Sequence, residues 1–497
     1  MRQSRGRTPR ALFLVLVSFL GWLPARAHPR PESTESLRDY AERSQRRQAY
    51  GVYAKGQKLG WAIDEFVLDR HDGRDVAVHT LEVQGRVALG NEVARFEEKE
   101  TTCYELEGQG EIVFAEKRSL EDGNETVYIA RRQGAEMVVT TRTPRGTAER
   151  RVGVPKETLG LMRDLERWLH KPPGKSDSFV DFMASWDEDR VDTPGVIRYR
   201  GRRSILWGGV RADLHAVRVQ VQGMLVDAEL LGDGTPVRGR LGGLFDVKAE
   251  KETVAKGLDH EPPDMLEASS IIVNEDLGDP GAVDSLRLKV VGPKGMTVPT
   301  SSRQRIVSRR GAALYLELTR EGRRPGSEPL LPEERQEFLK STPTLQSDHP
   351  ALRQQATRIV TGETDPLRKI RLLQEWVFSN MRPTMVANGS TALGVLETRA
   401  GDCTEITPLF VALARAVGIP AREVGGLAYA NETPPLFGWH AWAEAHDGHQ
   451  WVSVDPTWNQ IDVDATHLKL TEDTADWSWI NLVGRLRIRI LGHSQSN

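Results

Sequence analysis

The chain is poor in cysteine and aromatic residues, and neither charge sign is in excess. Cysteine occurs twice in 497 residues, at Cys103 and Cys403, so at most one disulfide can form and a densely stapled scaffold is excluded. No Cys/His cluster has the spacing of a structural zinc site, and no metal or organic cofactor is expected. Lys and Arg number 67 against 70 Asp and Glu, for a formal net charge of −3. That balance offers no broad basic surface, so nucleic acid is not an expected partner. Long apolar runs are also missing. The stretch Ala11–Leu23 is shorter than the roughly 20 residues a membrane-spanning helix needs, and no later stretch could span a bilayer. What is present, 39% hydrophobic and 28% charged residues, is the composition of ordinary globular protein. The length exceeds what one core supports and implies two to four domains.

Arg2, Arg5, Arg7 and Arg10 precede that short apolar run, and Ala25-Arg-Ala27 follows it. A basic start, an apolar stretch and an A-x-A site form a secretory signal, here residues 1–27. The expectation is an extracytoplasmic protein, periplasmic or secreted, with an uncleaved N-terminal membrane anchor as the alternative.

Residues 28–260 read as a β-rich domain with a helical insert near Lys156–Leu169. Alternating segments such as Ala77-Val-His-Thr-Leu-Glu-Val83 are bounded by Asp72-Gly73, Asp122-Gly123 and Asp233-Gly234 turns, the pattern of an antiparallel sheet, curved or half-barrel. Cys103 falls in one such strand, as a small buried hydrophobe. Lys256–Glu267 reads as a linker. Residues 268–345 form a second β segment and an irregular linker, and 346–497 form a domain that turns from helix to strand.

Chemistry-bearing residues concentrate in that last segment. Asp365-Pro366 opens a helix whose Leu367, Ile370, Leu373 and Val377 recur at helical spacing. Further on, Asp402 and Glu405 have the spacing of a capping box, which sets Cys403 in the first turn of a helix ending near Gly418. Ile406, Phe410 and Val417 share the Cys403 face, so the thiol turns inward. A helix N-terminus favours the thiolate and is expected to lower the thiol pKa.

Two alternating segments, His440–Ala445 and Gln450–Asp455, flank Asp447-Gly448, a strong two-residue hairpin signal. With those two residues as the turn, His446 faces His449, Glu444 faces Trp451, Trp442 faces Ser453 and His440 faces Asp455. Opposed residues project from one side of a sheet, so the register brings an imidazole against a carboxylate. Cys403 as nucleophile, His440 as base and Asp455 as the group orienting the imidazole satisfy the needs of thiol-based acyl transfer.

Gly401-Asp-Cys-Thr-Glu405, Leu413-Ala-Arg-Ala-Val-Gly-Ile-Pro-Ala-Arg422, Gly438-Trp-His-Ala-Trp442 and Val454-Asp-Pro-Thr-Trp458 resemble the motifs of bacterial transglutaminase-like proteins. The resemblance covers about Leu352–Leu470, with the three site motifs in family order, 37 and then 15 residues apart. It implies a papain-like α+β fold for the C-terminal domain and thioacyl-enzyme chemistry carried by Cys403, His440 and Asp455. The fold class expected is thus multidomain, N-terminal antiparallel β followed by an α+β transglutaminase-like catalytic domain. The implied activity is that of a cysteine peptidase, amidase or acyltransferase on a protein or peptide, with cell-envelope material a further candidate partner. Water as acceptor gives hydrolysis, and an amine gives transamidation. The alternative of another class is a non-catalytic binding or scaffold protein retaining the fold.

Trp439, Trp442 and Trp458 read as packing residues, and His446, Asp447 and His449 as an exposed turn rather than a metal site. The backbone N–H of Cys403 is one candidate oxyanion donor. For the second, Asn388 and Trp376 precede the nucleophile without a motif to favour either.

Overall fold

The structure, a computed structural model, describes residues 35–495 except 91, 122, 145, 171–173, 175–176, 187–191, 259–260, 321–328, 343, 385–390 and 473–476. The proposed signal sequence, Asp122 of one turn, His260 of the linker and Asn388 lie outside the described residues. No helix among the described residues is long and apolar enough to cross a membrane. Residues are mostly in antiparallel sheet, and the described chain divides near residue 268 into two compact units.

The first unit is built on one fourteen-stranded antiparallel sheet, from β1 (Arg46–Ala54) to β14 (Phe245–Glu250). Its order is two meanders joined at their starting and finishing strands: β1 pairs β14, Ala49 opposite Glu250, while β8 (Gly146–Gly153) and β9 (Ser178–Ala184) stand at the two edges. Laid flat, fourteen strands would separate those edges by about 60 Å. Instead Arg150 of β8 donates to the Trp186 carbonyl just beyond β9 at 2.6 Å, so the sheet rolls until its edges meet. Helices α1 (Leu37–Arg43) and α2 (Leu159–His170) pack into the same apolar cluster as strand residues Phe66, Ala77, Tyr104 and Met137. The helix therefore forms where the sequence places it. Cys103 is a buried free thiol in this unit, pushed by burial up to about 11.

The second unit holds the motifs. Its four-stranded sheet runs β17 (Gln304–Arg310), β18 (Ala313–Thr319), β16 (Val283–Val291) and β26 (Arg487–Gln495), so the second β segment shares a sheet with the last described strand. Its six-stranded sheet runs β24 (Gln460–Ile461), β23 (Trp451–Asp455), β22 (Leu436–His446), β21 (Ala421–Ala430) and β25 (Leu468–Thr471), with β15 (Ile271–Ile272) also on β22. Helices α3 (Pro350–Ile359), α4 (Pro366–Asn380), α5 (Ala392–Thr398) and α6 (Cys403–Ala416) share a core with Ala443, Ala445, Val452 and Val454. On α4, Ile370, Leu373 and Val377 are buried, as their spacing requires, and Asp365 caps it by accepting from the Leu367 and Arg368 amides. A second core joins the four-stranded sheet to Leu427, Tyr429, Phe437, Leu468 and Leu470.

Candidate active site

Helix α6 starts at Cys403 because its cap is complete. Asp402 Oδ1 accepts from the Thr404 amide at 2.7 Å, and Glu405 Oε2 accepts from the Asp402 amide at 3.0 Å, which is the reciprocal pairing of a capping box. Thr407 then donates to the Ala441 carbonyl at 3.2 Å, tying the first turns of α6 to β22. The amide of Ala441 hydrogen-bonds the Cys403 sulfur. The thiol therefore lies against the strand that carries His440, one residue away.

His440 and Asp455 meet, but not by the expected pairing. Observed partners are His446 with Trp451 and Glu444 with Ser453, a slip of two residues from the two-residue hairpin. The loop has four residues instead. Asp447 turns its carboxylate onto the amides of His449 and Gln450, both at 2.8 Å, and its own amide donates to the Gln450 carbonyl. Only Gly448 has positive φ (+97°), whereas a type I′ turn needs both central residues there. A two-residue slip keeps every side chain on its face, so His440 and Asp455 become diagonal neighbours. His440 Nε2 lies 2.8 Å from Asp455 Oδ2. The turn's base is also less open than expected, since His446 and Asp447 are buried and His446 packs edge-on to Trp451.

Cys403 is 1% exposed and His440 6%. Nδ1 of His440 is buried without a hydrogen-bond partner. The Asp455 carboxyl, although burial opposes ionisation, is held well below the usual carboxylate range by His440 and His467. Its other oxygen, Oδ1, accepts from the amides of Thr457 and Trp458 at 2.8 and 3.1 Å. The expected lowering of the thiol pKa is overturned. Burial pushes the Cys403 thiol well up, the Asp402 charge adds to this, and the Ala441 amide offsets only part. Asp402 is itself pushed well up by burial and by Glu405. Desolvation outweighs the helix dipole here because the sulfur is enclosed.

Two residues of this neighbourhood escaped the sequence reading. Trp458, a packing residue by sequence, stacks on the His440 ring with centroids 4.2 Å apart and planes 14° apart. His467 is fully buried, with Nε2 3.4 Å from Asp455 Oδ2 and Nδ1 3.2 Å from Asp464 Oδ1. Gly426, opposite His440 on β21, makes the packing possible: a Cβ there would lie 2.1 Å from the Leu468 carbonyl oxygen and 2.8 Å from the Trp442 ring. Trp439 serves elsewhere, donating to the Ser269 carbonyl and packing on Trp479. Trp376 lies beneath the Arg399 guanidinium.

Among the described residues, the ligand atoms of His440, Asp455 and His467 lie within 4.8 Å of one another, the geometry of a possible metal-binding group. A cation there would have to displace the His440–Asp455 hydrogen bond, so the donor set is already committed to pairing within the protein.

Residues 353–456 match the model of the Transglutaminase-like superfamily, so the second unit carries a transglutaminase-like domain, in agreement with the resemblance of its motifs. An uncharacterized protein of Haemophilus influenzae is 39% identical over 100 residues, covering 18% of this chain and 26% of that protein; the match thus spans about a quarter of that relative's length. Among solved structures, a protein of Cytophaga hutchinsonii described as a putative cysteine protease is 20% identical, with 44% of this chain and 88% of that chain covered and a TM-score of 0.29. A protein of Parabacteroides distasonis described as a putative protease is 13% identical, with 71% and 69% covered and a TM-score of 0.18.

Proposed function

We propose that the second unit, as an α+β papain-like catalytic domain, is a cysteine enzyme that acts on amide or peptide bonds through a thioacyl intermediate. Cys403 would be its nucleophile, His440 its base and Asp455 the group orienting that base. The observation that carries the reading is the state of His440: Nε2 is fixed by Asp455 at 2.8 Å while Nδ1 is buried and unpaired. A buried ring nitrogen without a partner is costly. The thiol proton of Cys403 is the natural one to fill it, because the sulfur rests on the amide of the residue next to His440.

With Asp455 accepting the Nε2 proton, the neutral tautomer leaves Nδ1 as the free base. His440 Nδ1 removes the Sγ proton as sulfur attacks the carbonyl carbon. The resulting oxyanion takes the Cys403 backbone N–H, free at the helix start. The imidazolium then protonates the departing amine, and the thioester passes its acyl group to water or to an amine. A high resting thiol pKa fits this order of events, in which proton removal accompanies attack rather than preceding it. Trp458 covers one face of the imidazole and limits its movement.

The substrate would be a protein or peptide, with cell-envelope material included, and the N-terminal motif supports an extracytoplasmic setting. The test is acyl-donor profiling of the purified protein, with amine and water in competition, against Cys403→Ala. A thioester on Cys403 detected by intact mass, absent in the variant, is expected, and its resolving partner separates hydrolysis from transfer. No adduct with any donor class, together with alkylation of Cys403 at equal rates in wild type and His440→Ala, would leave a non-catalytic binding or scaffold protein.

A further inference from the structure

Outside the three residues named above, the most demanding group near the site is His467. It is completely buried, and each ring nitrogen faces a carboxylate oxygen: Nδ1 faces Asp464 at 3.2 Å, Nε2 faces Asp455 at 3.4 Å. Ionised carboxylates only accept hydrogen bonds, so both nitrogens must donate and the ring must carry two protons. Asp464 is firmly anchored as the outer anion, with Oδ1 taking the Thr466 amide at 2.8 Å and its hydroxyl at 2.6 Å, and Oδ2 taking Gln460 at 2.8 Å. Arg303, buried, donates to the Asp464 and His467 carbonyls at 2.8 Å each, which fixes the backbone of the segment. The inner anion, Asp455, presents the same oxygen, Oδ2, to His467 and to His440.

We infer that His467 is a positioning residue of the proposed catalytic set: with its ring edge-on to that of His440, it supplies a proton and a positive charge to Asp455 Oδ2, and so sets how strongly Asp455 holds the His440 proton. The inference rests on the reading of Cys403, His440 and Asp455 given above. Two imidazoles on one carboxylate oxygen must share its charge. With His467 in place, part of the Asp455 charge is engaged by a second donor, while Asp455 still fixes the direction of the His440 ring. The titratable groups facing His467 are Asp464, Asp455 and His440; Trp442 and Trp458 close it in edge-on, with centroids at 5.3 Å each. Burial works against a charged His467, yet Asp464 and then Asp455 raise it to about 9, in keeping with the geometry. No Lys or Arg is seen facing Asp455 to substitute for it among the described residues.

The experiment follows alkylation of Cys403 by iodoacetamide from pH 5 to 9, read by peptide mapping, with buried Cys103 as internal reference. Wild type, His440→Ala, His467→Gln and Asp464→Asn are compared. Gln at 467 keeps a donor toward Asp455 and removes the charge, so Asp455 should hold the His440 proton more tightly. The acidic limb of the profile should then move to higher pH by about one unit. Asp464→Asn, which removes the anion that retains the second His467 proton, should move it the same way, and carries the prediction if His467→Gln does not fold. A profile lowered uniformly in rate, with its limb unmoved in both variants, would make His467 a mere structural residue and overturn the inference. Equal alkylation of wild type and His440→Ala would instead overturn the reading of the site itself.

Discussion

Replacing Asp455 by Asn tests the site most sharply, because the structure dictates which way the amide must face. Oδ1 accepts from two buried backbone amides, those of Thr457 and Trp458. Turning the Asn NH2 toward them would strand both donors, at a cost of about 2–6 kcal/mol for the two. The amide oxygen therefore stays there, and the NH2 takes the place of Oδ2, 2.8 Å from His440 Nε2. Facing a donor, Nε2 must become an acceptor, so the ring proton moves to Nδ1, the nitrogen meant to receive the thiol proton. Losing a positioned base costs about 10²–10⁴ in rate, and reversing the tautomer in a comparable triad costs about 10⁴, or roughly 5 kcal/mol of transition-state stabilisation. We expect Cys403 acylation to fall by at least about a hundredfold while the far-ultraviolet circular dichroism stays unchanged. The assay is intact-mass measurement of thioester formation, with iodoacetamide labelling at pH 7.5 in parallel. An Asp455→Asn protein within tenfold of wild type would refute the reasoning, since the carboxylate would then have no part in setting the tautomer.

Two further variants follow from the surroundings of the sulfur and the sheet. Asp402→Asn keeps an acceptor for the Thr404 amide but removes the carboxyl that, after burial, most raises the Cys403 thiol; alkylation should be faster than in wild type at pH values where the Asp402 carboxyl is ionised. Because the folded-state pKa of Asp402 is raised, its stabilising effect holds below the ordinary carboxylate range and is lost as pH rises. The variant should therefore gain urea stability on wild type with rising pH, a trend whose absence would remove the assignment. Gly426→Ala drives a Cβ into the Leu468 carbonyl, a backbone atom that cannot rotate away. A loss of more than about 3 kcal/mol, or failure to fold, is expected in thermal melts, and a near-native melting temperature would contradict the strand spacing.

Much of the site was legible because short-range chemistry specified it. The capping box at Asp402 and Glu405 is a local device, and it appears as written. The face shared by His440 and Asp455 was also readable, since a two-residue error in register preserves the side of the sheet. The register itself was not, because Asp447 could use its side chain to close a four-residue loop, a choice its neighbours do not reveal. His467 was missed for a different reason. It lies in the irregular stretch between β24 and β25, where no periodicity marks a face, although Asp464 three residues earlier is a cue that could have been weighed. The thiol's pKa was misjudged because enclosure by β22 and the helices is a tertiary fact that overrides a helix-end argument. In the first unit, turn residues and alternation revealed strands and the α2 insert, but not that β1 would join β14 across the sheet's middle.

That seam has a consequence for how the chain is made. Each meander can grow from successive hairpins, but β1 gains its second neighbour only when β14 arrives about 200 residues later. Until then one edge of β1 is open, and Gln48-Ala-Tyr-Gly-Val-Tyr-Ala54 carries no charge to discourage another strand from adding to it. A nascent or transiently opened chain would therefore be most vulnerable to association with its own kind at the strand that, once complete, is among the best protected in the sheet.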